Sequence, residues 1–388
     1  MDRPSAIIIG AGFTGVATAH DLALRGFDVV VIDRGDICNG TSGRTHGLLH
    51  SGARYAVKDQ ESAVECIEEN TLLRKLVPDV IEPNGGLFIA INESDLIYRE
   101  LFIESCETCH IPISELTPKE TIRIEPNVNQ KLITAFTVPD GTFDPLRLAL
   151  AFAATAKIHG AKFRTFVEFE NFIFSGTGAV VGINCVDRTS NQSIELRGDM
   201  VINATGAWVG EIAEFAGITV PIKPTPGVMV AFDQRLVNRA INRLNQPGDG
   251  DIVLPQRRMV VVGTTSFEIE DLDYVPVLDE HVNLMLQKGA ELVPSIRNTK
   301  MRGKYMATRP LISNGSGRSA ARTFKCFDHK LTQNVDGLVT ITGGKATTLR
   351  AMAEGTANMV CSKLGLNTAC VTKEVPLVSY REYYTIKN

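Results

Sequence analysis

An α/β fold is what the sequence predicts, with a Rossmann-like parallel sheet and a second, antiparallel-sheet domain inserted into it. Two observations lead there. The run Ala6-Ile7-Ile8-Ile9 enters the stretch Gly10-Ala11-Gly12-Phe13-Thr14-Gly15, a helix-like segment covers 16–25, and a second apolar run spans Asp28-Val29-Val30-Val31-Ile32-Asp33. Strand, helix and strand in that order belong to a parallel sheet. Similar strand ends against small residues recur at Val201-Ile202-Asn203-Ala204-Thr205-Gly206 and at Leu338-Val339-Thr340-Ile341-Thr342-Gly343-Gly344-Lys345, the latter leading into a helical stretch over 347–364. The intervening segments differ. Residues 84–90 and 227–232 read as antiparallel strands, and 252–255 with 259–263, linked by Gln256-Arg257-Arg258, as a hairpin. The expected division is 1–80, 140–215 and 320–388 for the parallel-sheet domain, with 81–139 and 216–319 as the inserted substrate domain.

The glycine spacing has a mechanical reason. Gly10 permits a tight turn, Gly12 lets backbone N–H groups approach a pyrophosphate, and Gly15 lets the helix pack on the strand. The phosphates then meet the positive end of the helix. Asp33 closes the second strand, where a carboxylate accepts hydrogen bonds from a ribose, with Arg34 next in the chain. The segment reads as an adenine-dinucleotide site, against the plainer reading of a Gly-rich turn in an ordinary α/β domain. NAD and FAD both satisfy it. The strand ending in Ala204-Thr205-Gly206 favours FAD, since in flavoproteins such a strand ends against that cofactor.

Composition excludes several classes. The 388 residues include 40 Lys+Arg and 44 Asp+Glu, a formal charge of −4, which argues against a nucleic-acid partner held by a basic face. A hydrophobic content of 44% supports a buried core and excludes global disorder. No run reaches the ~18 apolar residues of a bilayer span, and no signal segment precedes the first strand. A cytoplasmic chain is expected, at most peripheral to the inner face of the cell membrane. The 8 cysteines are expected to be reduced core thiols. Cys106-Glu107-Thr108-Cys109-His110 spells a covalent haem-attachment pattern, but it closes an amphipathic helix in a chain not expected to be exported, so buried thiols are the preferred reading and no metal is assigned. The stretch Gln246-Pro247-Gly248-Asp249-Gly250-Asp251 reads as a surface turn.

Longer motifs narrow the reading. They are Thr41-Ser42-Gly43-Arg44-Thr45-His46-Gly47-Leu48-Leu49-His50-Ser51-Gly52-Ala53-Arg54-Tyr55, Val138-Pro139-Asp140-Gly141-Thr142-Phe143-Asp144-Pro145, Thr308-Arg309-Pro310-Leu311 and Thr342-Gly343-Gly344-Lys345. Through them the chain, from residue 6 to about 365, resembles the FAD-dependent glycerol-3-phosphate dehydrogenases of the D-amino-acid-oxidase-like flavoproteins, most of all the catalytic A subunit of the anaerobic enzyme. Arg54 does most of the discriminating, because same-fold dehydrogenases of 2-hydroxydicarboxylates are similar around His50 but lack it. There are departures. Asp33 stands where Glu is usual, Leu349 replaces an aromatic residue, and neither the cysteine-rich nor the helical C-terminal region of the family is found before Asn388.

The resemblance implies noncovalent FAD, sn-glycerol 3-phosphate as substrate, and electrons passed on, at the membrane, to a quinone or a partner redox subunit, or else to oxygen. Arg54 and Arg309 would clamp the substrate phosphate with forked donors. His50 is the candidate base, with His46 and Lys345 as rivals, and Tyr55 would bind substrate or orient His50. Lys345, opening the last helix, would stabilise negative charge on the flavin or the phosphate. Thr41, Ser42 and Gly43 would contact pyrophosphate or flavin through a turn. Val167, in an extended segment over 163–169, would meet the adenine side. His46, Gly47 and Leu49, then Ala204, Thr205 and Gly206, then Gly343, Gly344, Lys345, Ala346 and Thr347 would complete the cofactor site. Trp208 packs behind the 204–206 turn rather than stacking on flavin. Two alternatives stand beside this reading: a same-fold dehydrogenase or oxidase of a 2-hydroxy acid or amino acid, and a flavin-holding relay subunit without substrate chemistry of its own.

Overall fold

The computed structural model describes residues 3–269, 271–312 and 323–386. The expected domain junction at 319–320 lies outside them.

Strand β1 (Ser5–Ile9) pairs in parallel with β2 (Asp28–Asp33) on one side and with Met200–Asn203 on the other. The full order of this six-stranded sheet is Phe324–Asp328, Leu338–Gly343, Met200–Asn203, β1, β2, Lys162–Thr165, and only the first pairing is antiparallel. The continuous apolar runs follow from burial on both faces. Ile8, Val31, Ile202 and Val339 pack under α1 (Phe13–Leu24) and the helices Pro145–Ile158 and Leu349–Lys363. Ile7, Ile9, Val201 and Leu338 face a three-stranded sheet of Val167–Phe174, Val180–Asp187 and Gln192–Arg197, meeting Phe172, Ile183 and Cys185. The expected extended run over 163–169 is broken. Phe166 turns through φ +60° with its N–H on the Gly35 carbonyl, so its two halves belong to different sheets.

The second large sheet has eight strands, in the order Met301–Ile312, Ile222–Phe232, Met259–Gly263, Ile252–Gln256, Ala240–Arg243, Gly86–Ala90, Thr134–Val138, Ser114–Leu116. Its pairings are antiparallel apart from Ala240–Arg243 on Gly86–Ala90, a parallel contact that the sequence pattern does not announce. The 252–256/259–263 hairpin forms as expected, with Arg257 at φ +53°. Val228, Val230, Val253 and Val262 are buried beneath the helix Asp279–Leu292. Arg309 is expected where a strand or loop ends, yet it lies within Met301–Ile312 opposite Thr225, because the register with Ile222–Phe232 runs on through Pro310.

The cysteine pair lies at the end of the helix Arg99–Thr108, where Cys106 and Cys109 are buried in an apolar cluster and His110 is exposed. Burial pushes the Cys106 thiol up to about 12, so it serves as a small core side chain rather than a ligand. All eight cysteines are free. Among the described residues no cluster suited to a metal ion occurs, and no helix is long and apolar enough to cross a membrane.

Helix α1 also buries His20, whose ring stands edge-on to Phe152 at 5.4 Å. Burial first, then the nearby His159 and Arg350, hold its pKa down to about 3. A lowered folded-state value means that the unfolded chain takes up the proton first as the pH falls below about 6.5. Stability is therefore expected to decline from there towards pH 3, and His20→Leu to flatten this part of the curve. Urea denaturation at stepped pH reads both slopes, and equal slopes would contradict the assignment.

Candidate active site

A cavity of ≈ 740 Å³ opens where the two large sheets meet. His50, Arg54, Tyr55, Arg309 and Lys345 all line it, although they come from three separate stretches of the chain. Thr41, Ser42 and His46 line it from the segment after β2, and Gly206, Gly343, Gly344 and Ala346 from the two other strand ends of the parallel sheet.

Beyond one end of the cavity lies the β1–α1–β2 unit. Gly10 has φ +104°, and a Cβ added there would lie 2.8 Å from the Ala204 carbonyl. One on Gly15 would stand 1.8 Å from the Gly10 carbonyl oxygen, and one on Gly12 3.0 Å from Ser42 Oγ. At Gly10 and Gly15 the turn thus admits only glycine, and it forms a cradle at the N-terminus of a 12-residue helix. Ser42 Oγ accepts the Phe13 N–H at 2.9 Å, docking the 41–44 segment on the helix start, and Gly43 lies too close to the Cys38 carbonyl for a side chain. Thr41 donates to the Thr308 carbonyl at 2.7 Å. Asp33 accepts from the Ala11 and Gly35 N–H groups at 2.7 and 2.8 Å, one on each oxygen, and each oxygen keeps a lone pair for a ligand. Cradle, helix terminus and carboxylate together fit a dinucleotide.

Other candidates stand around rather than in the cavity. Arg34 pairs with Asp273 at 2.7 Å and covers the Trp208 ring, whose own N–H donates to the same carboxylate. Trp208 is not part of the cavity lining. Val167 is buried just after the Phe166 turn. Thr205 donates to Asn203 Oδ1 at 2.7 Å beside Ala204. Gly47, at φ +80°, gives its carbonyl to the Phe143 N–H, and Leu49 is fully buried in the adjoining short strand.

The backbone around His50 is pinned on several sides. Thr347 Oγ1 accepts the His50 N–H at 3.1 Å, Asn70 Nδ2 donates to the Leu49 and His50 carbonyls, and buried Asp140 accepts the Ser51 N–H at 2.7 Å. The His50 ring lies 5.2 Å from Tyr55 and 6.2 Å from His46. His46 Nδ1 accepts the Leu48 N–H, and burial, reinforced by Arg54 and Arg309, pushes its pKa down to about 4. That leaves His46 neutral and a weak base at pH 7. Lys345 Nζ sits 5.1 Å from the Tyr55 ring centroid and 3.9 Å from Glu65 Oε2. Arg309 donates to Thr264 Oγ1 and to the Thr265 and Pro226 carbonyls at 2.9, 2.8 and 3.1 Å, which fixes the plane of its guanidinium.

Arg54 corrects one expectation. Its Nη2 lies 2.5 Å from Asp251 Oδ1, and Asp251 is only 4% exposed, with its other oxygen taking the Gly248 N–H. The 246–251 stretch is therefore more than a surface turn. Gln246 and Pro247 reach the cavity wall because the buried guanidinium demands a counter-charge that this segment supplies. Sequence reasoning missed Glu65 and Asn70, which stand in no motif, and saw Asp251 only as part of a turn. Asp140 was visible within Pro139-Asp140-Gly141, but its task behind His50 was not.

The chain matches the model of the FAD dependent oxidoreductase family, DAO, over residues 5–359. It therefore belongs to that family of flavin enzymes. Within it, the chain is 41% identical to the A subunit of anaerobic glycerol-3-phosphate dehydrogenase from Haemophilus influenzae over 376 residues, 96% of this chain and 67% of that protein. It is 40% identical to the protein of the same name from Escherichia coli, over 97% of this chain and 70% of the relative. The chain belongs with these A subunits and spans about two thirds of their length. Among solved structures, the glycerol-3-phosphate dehydrogenase of Bacillus halodurans complexed with FAD shares the fold at TM-score 0.74 and 24% identity, covering 97% of this chain and 68% of that one. The FAD-bound L-alpha-glycerophosphate oxidase of Mycoplasma pneumoniae does so at TM-score 0.76 and 19% identity, covering 95% and 97%.

Breaking the Arg54–Asp251 pair from one side strands a buried charge. Arg54→Met and Asp251→Ala are each expected to lose about 3–5 kcal/mol of stability, and the double variant clearly less than the sum. Chemical denaturation of the four proteins measures this, and strict additivity would show that the pair does not couple.

Proposed function

We propose that this flavoprotein holds FAD noncovalently and oxidises sn-glycerol 3-phosphate to dihydroxyacetone phosphate. The supporting observation is the convergence of His50, Arg54, Tyr55, Arg309 and Lys345 on one cavity at the end of the dinucleotide cradle. Relatives about two-fifths identical to the chain are named for that substrate. FAD, when bound, supplies an acceptor for the carbinol hydrogen as hydride at N5.

The protein's own groups do the rest. Gly10, Gly12, Gly15, Ser42 and the start of α1 receive the pyrophosphate, Asp33 the ribose, and Val167 borders the adenine side. Gly206, Gly343, Gly344 and Ala346 leave room for the ring system. His50, held by Thr347 and Asn70, removes the hydroxyl proton onto its ring. Arg309 presents a forked donor to the phosphate, and Arg54, steadied by Asp251, presents the second. Lys345 offers a charge at the start of its helix where negative charge gathers, and Tyr55 fills the space between His50 and Lys345. In this division residues 1–80, 140–215 and 320–388 bind the cofactor, and 81–139 with 216–319 close over the substrate. The relatives are named as A subunits, which supports a partner subunit; in this reading electrons pass to that redox partner or to a quinone at the inner face of the cell membrane.

Anaerobic addition of sn-glycerol 3-phosphate is expected to bleach the oxidised-flavin band, while glycerol, L-lactate and an L-2-hydroxydicarboxylate leave it. Bleaching by a hydroxy acid alone would transfer the site to another substrate class. Arg309→Ala is expected to reduce kcat/KM with a dye acceptor by about 100-fold. Near-normal efficiency would remove Arg309 from the phosphate clamp.

A further inference from the structure

Helix α2 (Gln60–Leu76) brings Glu65 against Lys345. Both side chains are largely enclosed, at 23% and 7% exposure, and Glu65 Oε2 finds no hydrogen-bond partner among the described residues. A second opening, ≈ 420 Å³, lies on the outer side of α2 and is lined by Glu65 with Gln60, Glu61, Val64, Glu68 and the end of the helix that carries Thr108 and Cys109. Glu65 thus touches solvent through the outer groove and the cavity through Lys345. An isolated buried carboxyl beside an ammonium has two useful states. Ionised, it forms a pair; protonated, it leaves the ammonium's charge to its other neighbours.

We propose that Glu65 is a positioning residue that sets, by its own protonation, how much of the Lys345 charge is offered to an anion in the cavity. This rests on the reading that Lys345 faces that anion. Burial raises the Glu65 pKa to about 7, Lys345 opposes the rise, and Glu61, Asp59 and Glu69 add to it. Cys66, next on the helix, is pushed up to about 12, and His46, across the cavity, down to about 4, so neither changes charge near neutrality. Below pH 7 the carboxyl is neutral and no longer offsets the ammonium that the anion meets. Above it the ion pair forms and the attraction weakens. Anion affinity therefore falls as the pH rises, and the outer groove lets the proton exchange without crossing the occupied cavity.

The test uses the FAD-loaded protein and sulfate, which stays a dianion between about pH 5.5 and 8.5 and so adds no titration of its own. Binding is followed by the flavin spectrum and, independently of flavin, by the shift in unfolding temperature. Wild-type affinity is expected to drop about tenfold across that range. Glu65→Gln is expected to hold the low-pH affinity throughout, and Glu65→Asp to keep the pH dependence. Lys345→Met is expected to bind sulfate weakly and without pH dependence. If Glu65→Gln retains the wild-type slope while Lys345→Met weakens binding, the role of Glu65 is overturned and that of Lys345 stands. If Lys345→Met binds as wild type does, or if wild type shows no saturable sulfate binding, Lys345 does not face the anion and both readings fall.

Discussion

A Cβ on Gly15 would stand 1.8 Å from the Gly10 carbonyl, and the rest of the site is built on the contact that glycine permits there. With no side chain between them, the first turn of α1 lies directly on the end of β1. Asp33 reaches back from β2 to the Ala11 N–H, tying the two strand ends together across the turn. Ser42 then caps the helix start from outside, so the segment that continues to His50 and Arg54 is anchored to the same few residues as the dinucleotide cradle. Glycine cradle and cavity are adjacent because one close packing contact places both.

The second organising constraint is electrostatic. The cavity gathers cationic side chains in surroundings that desolvate them, and the protein answers with acceptors placed behind each one. Asp251 backs Arg54, the Thr264 and Thr265 oxygens orient Arg309, and Glu65 faces Lys345. These acceptors come from a loop, from a strand end of the inserted sheet and from α2. The inserted sheet is therefore part of the site and not merely a lid, since the arginines keep their orientation through it. Burial, reinforced by the same arginines, keeps His46 uncharged near neutrality.

What stood in the sequence was chiefly local. The glycine turn, the helix after it, the small-residue strand ends and the Arg257 hairpin were all legible, since each depends on a few adjacent residues meeting a backbone requirement. Harder to see was the break at Phe166, because an apolar alternation over 163–169 looks the same whether one strand or two lie within it. A proline follows Arg309, so the local pattern puts it where a strand or loop ends. The long pairing with Ile222–Phe232 carries the strand through Pro310 instead.

By itself, then, the sequence determined the strand–helix–strand unit with its glycine turn, the titratable groups that its motifs carry and the presence of a second sheet, all through spacing and residue type within short windows. Only the tertiary structure decided which of those groups meet and in what charge state. Asp251 and Glu65 lie 197 and 280 positions from Arg54 and Lys345, and nothing local to either carboxylate marks it as a partner. Their importance arises from burial, which makes an unpartnered charge costly and so gives meaning to a carboxylate that in open solvent would be one among many.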